Sequence, residues 1–224
     1  MKLKLIERKP RFKDVESFIF EPDQPIDWQG GQYMHYTFPH TDPDDRGQER
    51  WFTISAPPYE KNLMITTRFT DKKGSSFKRA LRAMKIGDTI EADGPKGKFV
   101  IDDLSKKHIL IAGGIGITPY RAMLLQLDRD SQSINAELLW ANRDENLVFG
   151  DELADLQNRH PDFHIHKFIG DQRIEEADFR PYVDDPNTIF YVSGPEPMVE
   201  SYAEVLQNMG VPEERLKTDF FPGY

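Results

Sequence analysis

The residues with the most chemical content lie in one run, Gly113-Gly114-Ile115-Gly116-Ile117-Thr118-Pro119. The apolar stretch His108–Ala112 before it reads as a buried strand, and Tyr120-Arg121-Ala122-Met123-Leu124-Leu125 after it reads as a helix. Glycines let the backbone turn sharply and approach a ligand with no side chain in the way. Thr118 is expected as the helix N-cap and Pro119 at the first helical position. Strand, turn and helix start then aim free N–H groups and a positive dipole end at one point, which suits a phosphate. An ordinary strand-to-helix turn has the same outline. The spacing is G-G-x-G-x-x-P, not G-x-G-x-x-G.

A second group is Arg50-Trp51-Phe52-Thr53-Ile54-Ser55. Strand alternation puts Arg50 and Phe52 on one face. An arginine can clamp a pyrophosphate, and an aromatic can pack on a ring or sugar. Thr53 points the other way unless the strand bends or ends there. Its hydroxyl or N–H then reaches a ring nitrogen. Gly74-Ser75-Ser76 opens a helix and makes a second anion site. Two phosphate sites in one chain suit two dinucleotides, a flavin and a nicotinamide.

These residues need elements to hold them. Residues 1–103 carry short strands at Lys2–Glu7, Val15–Phe20, Tyr33–Phe38, Trp51–Ser55, Leu63–Phe69, Thr89–Ala92 and Phe99–Ile101, separated by turn-formers such as Gln29-Gly30-Gly31 and Ala56-Pro57-Pro58. That pattern predicts an antiparallel Greek-key β-barrel. One helix, Ser75–Met84, interrupts it and buries Phe77, Ala80, Leu81 and Met84. In residues 104–224 strands alternate with helices: His108–Ala112, Pro119–Asp128, Glu137–Ala141, Gly150–His160, Phe163–Phe168, Glu175–Tyr182, Ile189–Ser193, Pro197–Met209 and Leu216–Phe221. Alternation predicts a doubly wound parallel sheet. Ligands bind such a sheet beyond the carboxyl ends of its strands, where Gly113–Pro119, Ala141-Asn142-Arg143 and Ser193-Gly194-Pro195-Glu196-Pro197 fall.

The chain has 224 residues, a formal net charge of −9 and no cysteine. Its own disulfides, Cys-bound zinc and Cys-bound iron–sulfur clusters are excluded. The charge argues against nonspecific nucleic-acid binding. No apolar run has the length of a membrane span, and Met1–Arg8 has no signal-peptide core. A cytoplasmic location is expected. Lys72, Lys73, Lys78, Arg79, Arg82, Lys85, Lys96 and Lys98 crowd one region, either a solvated face or a dock for an acidic partner.

In order and spacing, Arg50-x-Phe52-Thr53-x-Ser55, Gly74-Ser75-Ser76, Gly94-Pro95-x-Gly97-x-Phe99, Gly113-Gly114-x-Gly116-x-x-Pro119, Ser193-Gly194-Pro195-x-Pro197-Met198 and Asp219-Phe220-Phe221 resemble the ferredoxin–NADP reductase family of flavoproteins. The resemblance covers nearly the whole chain, without a fused iron–sulfur domain. It implies an FAD-binding barrel over 1–103 and an NAD(P)-binding α/β domain over 104–224. Arg50 would bind the FAD pyrophosphate, Phe52 would pack on the flavin and ribityl chain, and Thr53 would sit near flavin N5. Trp51, Tyr33 and the Thr66–Arg68 segment with Thr67 would lie along the flavin, and Gly74, Ser75 and Ser76 would hold its phosphates. Gly113, Gly114, Gly116, Thr118 and Pro119 would bind NAD(P), with Asn142 and Arg143 beside it. Ser193, Gly194 and Pro195 would bring the nicotinamide to the flavin, and Phe221 or Tyr224 would cover the flavin face. Thr53, Ser193, Asp219 and Tyr224 form the implied catalytic set. Hydride would pass from NAD(P)H to FAD, and electrons onward to a separate acceptor such as an acidic ferredoxin or flavodoxin.

The chain departs from the family at three places. Phe52 stands for the usual tyrosine, Ser193 for a cysteine found in many members, and Asp219 for a glutamate. Asp219 is either a proton relay or a turn residue, and Tyr224 either the flavin cover or a frayed end. Asn142-Arg143 and Arg173, with no acid ending the strand at Ala141, favour NADPH over NADH. Two rival functions share the cleft: a reductase component for an oxygenase or an NADH-dependent flavin or ferric reductase, and a non-catalytic nucleotide sensor. No metal site is expected, and His164 and His166 read as a solvated strand face.

Overall fold

The computed structural model describes residues 1–70 and 74–221. The expected Lys72, Lys73 and Tyr224 contributions therefore lie outside the described residues, as does the Phe221 side chain.

Six strands build the first sheet: β1 (Lys2–Phe12), β2 (Val15–Pro22), β3 (Tyr33–Thr37), β4 (Glu49–Thr53), β5 (Leu63–Arg68) and, after α1 (Ser76–Ala83), β6 (Thr89–Lys96). Their order is β4-β3-β6-β1-β2-β5, antiparallel throughout. The late strand β6 lies between β3 and β1, the Greek-key connection of a barrel-like sheet. Helix α1 buries Phe77 and Leu81, and Met84 just past its end is also buried, whereas Ala80 is only half-buried.

Five strands build the second sheet: β7 (Lys107–Gly113), β8 (Ala136–Asn142), β9 (Phe163–Ile169), β10 (Thr188–Pro195) and β11 (Leu216–Phe221). The order is β11-β10-β7-β8-β9, all parallel. Helices α2 (Thr118–Arg129) and α3 (Gly150–Arg159) cover one face, where Leu110, Leu138 and Trp140 meet Leu124, Leu153 and Leu156. Helices α4 (Glu176–Val183) and α5 (Glu196–Asn208) cover the other, where Ile109, Ile111, Leu139 and Val192 meet Phe179, Val199 and Leu206. Alternate residues of each strand feed opposite faces, so both faces need apolar side chains. No described helix is long and apolar enough to cross a membrane.

Local expectations are corrected at Phe99–Ile101, at Thr118, and at Pro119, which takes the second helical position rather than the first. Phe99–Ile101 is not a strand. The Val100 carbonyl is instead taken up by side chains, Lys217 Nζ at 2.9 Å and Tyr191 Oη at 3.2 Å, so no ladder partner is needed there. Thr118 is not the N-cap. A 3-10 turn at Gly114–Ile117 precedes the helix, and Thr118 already has helical angles (φ −58°, ψ −44°). Its N–H donates within that turn to the Ile115 carbonyl.

Candidate active site

In the parallel sheet, β8 lies to one side of β7 and β10 to the other, so the connections diverge between β7 and β10. This is the topological switch point, where a crevice opens. The Gly113–Ile117 turn leaves β7 there, beside the Ser193–Pro195 end of β10. A Cβ on Gly116 would meet the Ser193 carbonyl oxygen at 2.3 Å, so only glycine permits the contact. Gly114 has φ +53° and faces open space, with Asn142 Oδ1 the nearest atom to an added Cβ at 3.7 Å.

A cleft of about 830 Å³ opens between the sheets at this edge. Gly113, Gly114, Asn142, Arg143, Arg173 and Pro195 line its α/β side. Arg68, Gly74, Ser75 and Lys78 line the barrel side. Of the expected nucleotide residues, Gly116, Thr118, Pro119 and Gly194 do not line the cleft; they are buried behind it. The two exposed arginines therefore come together with the glycine turn, and both lie 65 or more residues from Lys78 and Ser75 in sequence.

β4 ends at Thr53, as the alternation argument required for its hydroxyl to reach the site. Thr53 Oγ1 donates to Asp219 Oδ2 at 3.4 Å. Ser193 and Asp219 are register partners of β10 and β11, so both side chains stand on one face. Ser193 is fully buried, and its hydroxyl faces the Asp219 carboxyl without a hydrogen bond of full geometry. Burial pushes the Asp219 carboxyl up to about 7, while the Thr53 and Ser193 hydroxyls pull it the other way. Asp219 is thus not a turn residue but part of a three-residue polar cluster across the domain boundary.

Arg50 and the start of α1 converge on a single anion, the side chain of Asp44. Arg50 Nη2 donates to Asp44 Oδ1 at 2.6 Å, and the Ser76 N–H donates to Asp44 Oδ2 at 2.7 Å. Burial raises the Asp44 carboxyl, but those hydrogen bonds and the Arg50 charge outweigh it, and it falls well below the ordinary range. Ser75 caps α1 by accepting from the Lys78 N–H. Burial, then the neighbouring Arg46 and Arg50, push the Lys78 ammonium down to about 8, which marks a cationic neighbourhood. Asp44 and Lys78 carried no signal in the sequence beyond their charge.

The remaining barrel residues separate by face. Phe52 is buried against Tyr36 and Phe77, with ring centroids 5.9 and 5.7 Å away. Trp51 points oppositely, 58% exposed and stacked on Tyr33, so it does not join Arg50 and Phe52. Thr67 is buried with its Oγ1 unpartnered, and Thr66 pairs with Ser17. His164 and His166 are exposed on β9, with His166 Nε2 2.8 Å from Glu137 Oε2.

Residues 110–204 match the oxidoreductase NAD-binding domain family model. A flavohemoprotein of Rhodopirellula baltica is 28% identical over 92% of this chain and 57% of its own length. The carnitine monooxygenase reductase subunit of Escherichia coli is 25% identical over 84% of this chain and 57% of its own. The ferredoxin–NADP+ reductase of Plasmodium falciparum superposes with a TM-score of 0.81 at 17% identity, covering 98% of this chain and 95% of that one. This chain has the two-domain fold of the ferredoxin–NADP reductase-like flavoproteins. The fold therefore sets a flavin-type barrel against a nicotinamide-type α/β domain. The chain spans about half the length of the curated relatives it matches.

The residues at this site can be tested against two dinucleotides on this chain's own atoms. Arg50 and the α1 N-terminus already hold a carboxylate between them, so they can hold a phosphate oxygen. The buried Thr67 hydroxyl has no partner among the described residues. The Gly113–Gly114 backbone opens onto a cleft flanked by Arg143 and Arg173.

Proposed function

We propose that this chain is an NAD(P)H-dependent flavoprotein reductase that serves a separate electron acceptor. FAD, when bound, supplies acceptance of two electrons from reduced nicotinamide and their release to that acceptor. Everything else is the work of this chain's residues. Arg50, Ser75, Ser76 and Lys78 bind the FAD diphosphate in the barrel, and Phe52 packs beneath the flavin. Gly113 and Gly114 hold the nicotinamide dinucleotide, and Arg143 and Arg173 take its 2′-phosphate, which favours NADPH. Thr53 donates toward the flavin edge, Ser193 limits where the nicotinamide rests, and Asp219 holds a proton near neutrality. The domains divide at about residues 103 and 104.

The observation that carries this reading is the Thr53–Asp219 contact beside Ser193, at the switch point that also presents the glycine turn. A non-catalytic sensor has no need of a raised carboxyl at that place. The acceptor is an oxygenase component or a small acidic redox protein, a ferredoxin or flavodoxin. The reductase-subunit name of the E. coli relative supports the first. Exposed Arg79, Arg82, Lys85 and Lys98 support a basic face that docks an acidic partner. Absence of cysteine supports a cytoplasmic location.

The test is anaerobic absorbance of the FAD-loaded protein before and after NADPH, then NADH. A flavin spectrum that bleaches, faster with NADPH, is expected. Bound flavin that neither cofactor bleaches, or no FAD binding at all, overturns the reading.

A further inference from the structure

Arg121 lies one turn into α2, in the helix that opens directly from the glycine turn. It is 6% exposed amid apolar neighbours, an expensive place for a charge unless every donor is used. Its Nη1 donates to the Ser55 carbonyl at 2.9 Å, and its Nη2 to Glu60 Oε1 at 2.9 Å. Its Nε donates to Glu152 Oε2 at 2.8 Å, and its guanidinium lies over the Phe149 ring at 4.9 Å from the centroid. Ser55 and Glu60 belong to the barrel side; Glu152 and Phe149 belong to the α/β side. Ser55 is two residues beyond Thr53.

We propose that Arg121 is a positioning residue: one guanidinium holds a carboxylate from each domain and fixes Thr53 in register with the glycine turn and Ser193. The proposal rests on the reductase reading for its effect on turnover, but not for its effect on domain arrangement. The planar fork is what the task requires. It reaches a carbonyl and two carboxylates at once, whereas a lysine is a single point charge. Glu60 and Glu152 meet at the same guanidinium, so removing it turns attraction into repulsion between the two domains. Arg11 Nη1 lies farther off, 3.8 Å from Glu152 Oε1, and Arg11 feels Glu60 only through its charge, so it is a weaker bridge than Arg121. Gly30 and Gly31 complete the same seam. A Cβ on Gly30 would meet the Met123 backbone nitrogen at 2.6 Å, so the barrel backbone lies directly on α2.

The test uses the full chain with Arg121→Gln, Arg121→Lys and the double variant Arg121→Gln/Glu60→Gln. Small-angle X-ray scattering should give a larger radius of gyration for Arg121→Gln than for wild type, and the double variant should return toward the wild-type value. On FAD-loaded protein, Arg121→Gln should keep the FAD dissociation constant within about 3-fold while kcat falls about 10-fold or more. KM for the nicotinamide should change less than kcat, and Arg121→Lys should recover part of the rate. A variant that melts earlier but keeps the wild-type radius and kcat overturns the proposal, since that is plain stabilisation. Should Arg121→Gln not fold, Arg121→Lys and Glu60→Gln alone decide it: wild-type radius and kcat in both overturns the clamp. If wild type binds no FAD, the flavin reading falls, and the scattering comparison still decides the clamp.

Discussion

Thr53 and Asp219 are 166 residues apart, yet the Thr53 hydroxyl donates to Asp219 Oδ2 at 3.4 Å. The contact ties the last residue of β4 to the strand at the opposite edge of the other sheet. It brings a hydroxyl from the barrel and a carboxyl from the α/β domain to one point, with the Ser193 hydroxyl beside them.

Asp219 should titrate near neutrality. Its carboxyl is raised to about 7, chiefly by burial. In the unfolded chain it ionises near 3.8. Between those values the folded state holds the extra proton, so this group's contribution to stability falls as pH rises and levels off above about 7. Asp219→Asn should therefore stabilise the protein more at pH 8 than at pH 5, by a few kcal/mol at most. The turnover rate of wild type should inflect near pH 7, and the variant should lack that inflection. Thermal melts and pH–rate profiles check both; a variant equally stabilised at the two pH values argues against a protonated Asp219.

Gly116 should tolerate no side chain. The added methyl of Gly116→Ala would meet the Ser193 carbonyl oxygen at 2.3 Å and Gly194 Cα at 2.7 Å, both backbone. The end of β10 must then move away from the turn, at about 1–3 kcal/mol. Nicotinamide KM should rise at least about 10-fold while FAD affinity holds. Gly210→Ala, away from the cleft, is the control, since it meets no atom within 4 Å and suffers only the cost of φ +92°, about 1–2 kcal/mol. Steady-state kinetics and flavin titration separate the two.

Arg143 and Arg173 should choose the nicotinamide. Both line the cleft beside Gly114 and Asn142. Arg143→Ala and Arg173→Ala should each raise KM for NADPH about 10-fold, a loss of about 1.4 kcal/mol, and leave KM for NADH nearly unchanged. Equal effects on the two cofactors would place these arginines elsewhere on the ligand.

His108 should make the protein acid-sensitive. It is 3% exposed and packs edge-on to Tyr191 at 5.7 Å. Burial first, then Lys217, pushes it down to about 4. The folded protein keeps it neutral while the unfolded chain protonates it below about 6.5. Stability is lost as pH falls from 6.5 toward 4, by about 3 kcal/mol at the lower end. His108→Phe fills the same space without titrating. Its denaturant midpoint should vary less over that range than that of wild type.

Periodicity made most of the fold legible. The β7-to-α2 turn, the alternating strands and the parallel sheet all follow from local residue order, because each element buries one face or two. Phe99–Ile101 failed because an apolar triplet needs a neighbouring strand to become one, and Val100 found side chains instead. Thr118 failed because the 3-10 turn had already taken its N–H. At the candidate site the motifs point to Thr53, Ser193 and Asp219, and strand alternation makes the strand end at Thr53 a condition for its reach. Asp44 on Arg50, and Glu60 and Glu152 on Arg121, were not legible. Such ion pairs join residues far apart in sequence and have no spacing to betray them. Only an arginine in the apolar run after Pro119 offered a hint, a charge that had to be answered by something.

The place of β6 between β3 and β1 has a consequence for how the chain is made. Lys2 pairs with Glu91 and Tyr36 with Ala92, so the first strand and the third wait for the same late segment. While the ribosome is still short of residue 89, β1 can pair only with β2, and β3 only with β4. Two hairpins must then coexist with an open seam between them, until one strand slots in and satisfies both edges at once. Closure of the barrel is therefore a single late event with long-range contacts, the kind that sets a slow folding rate.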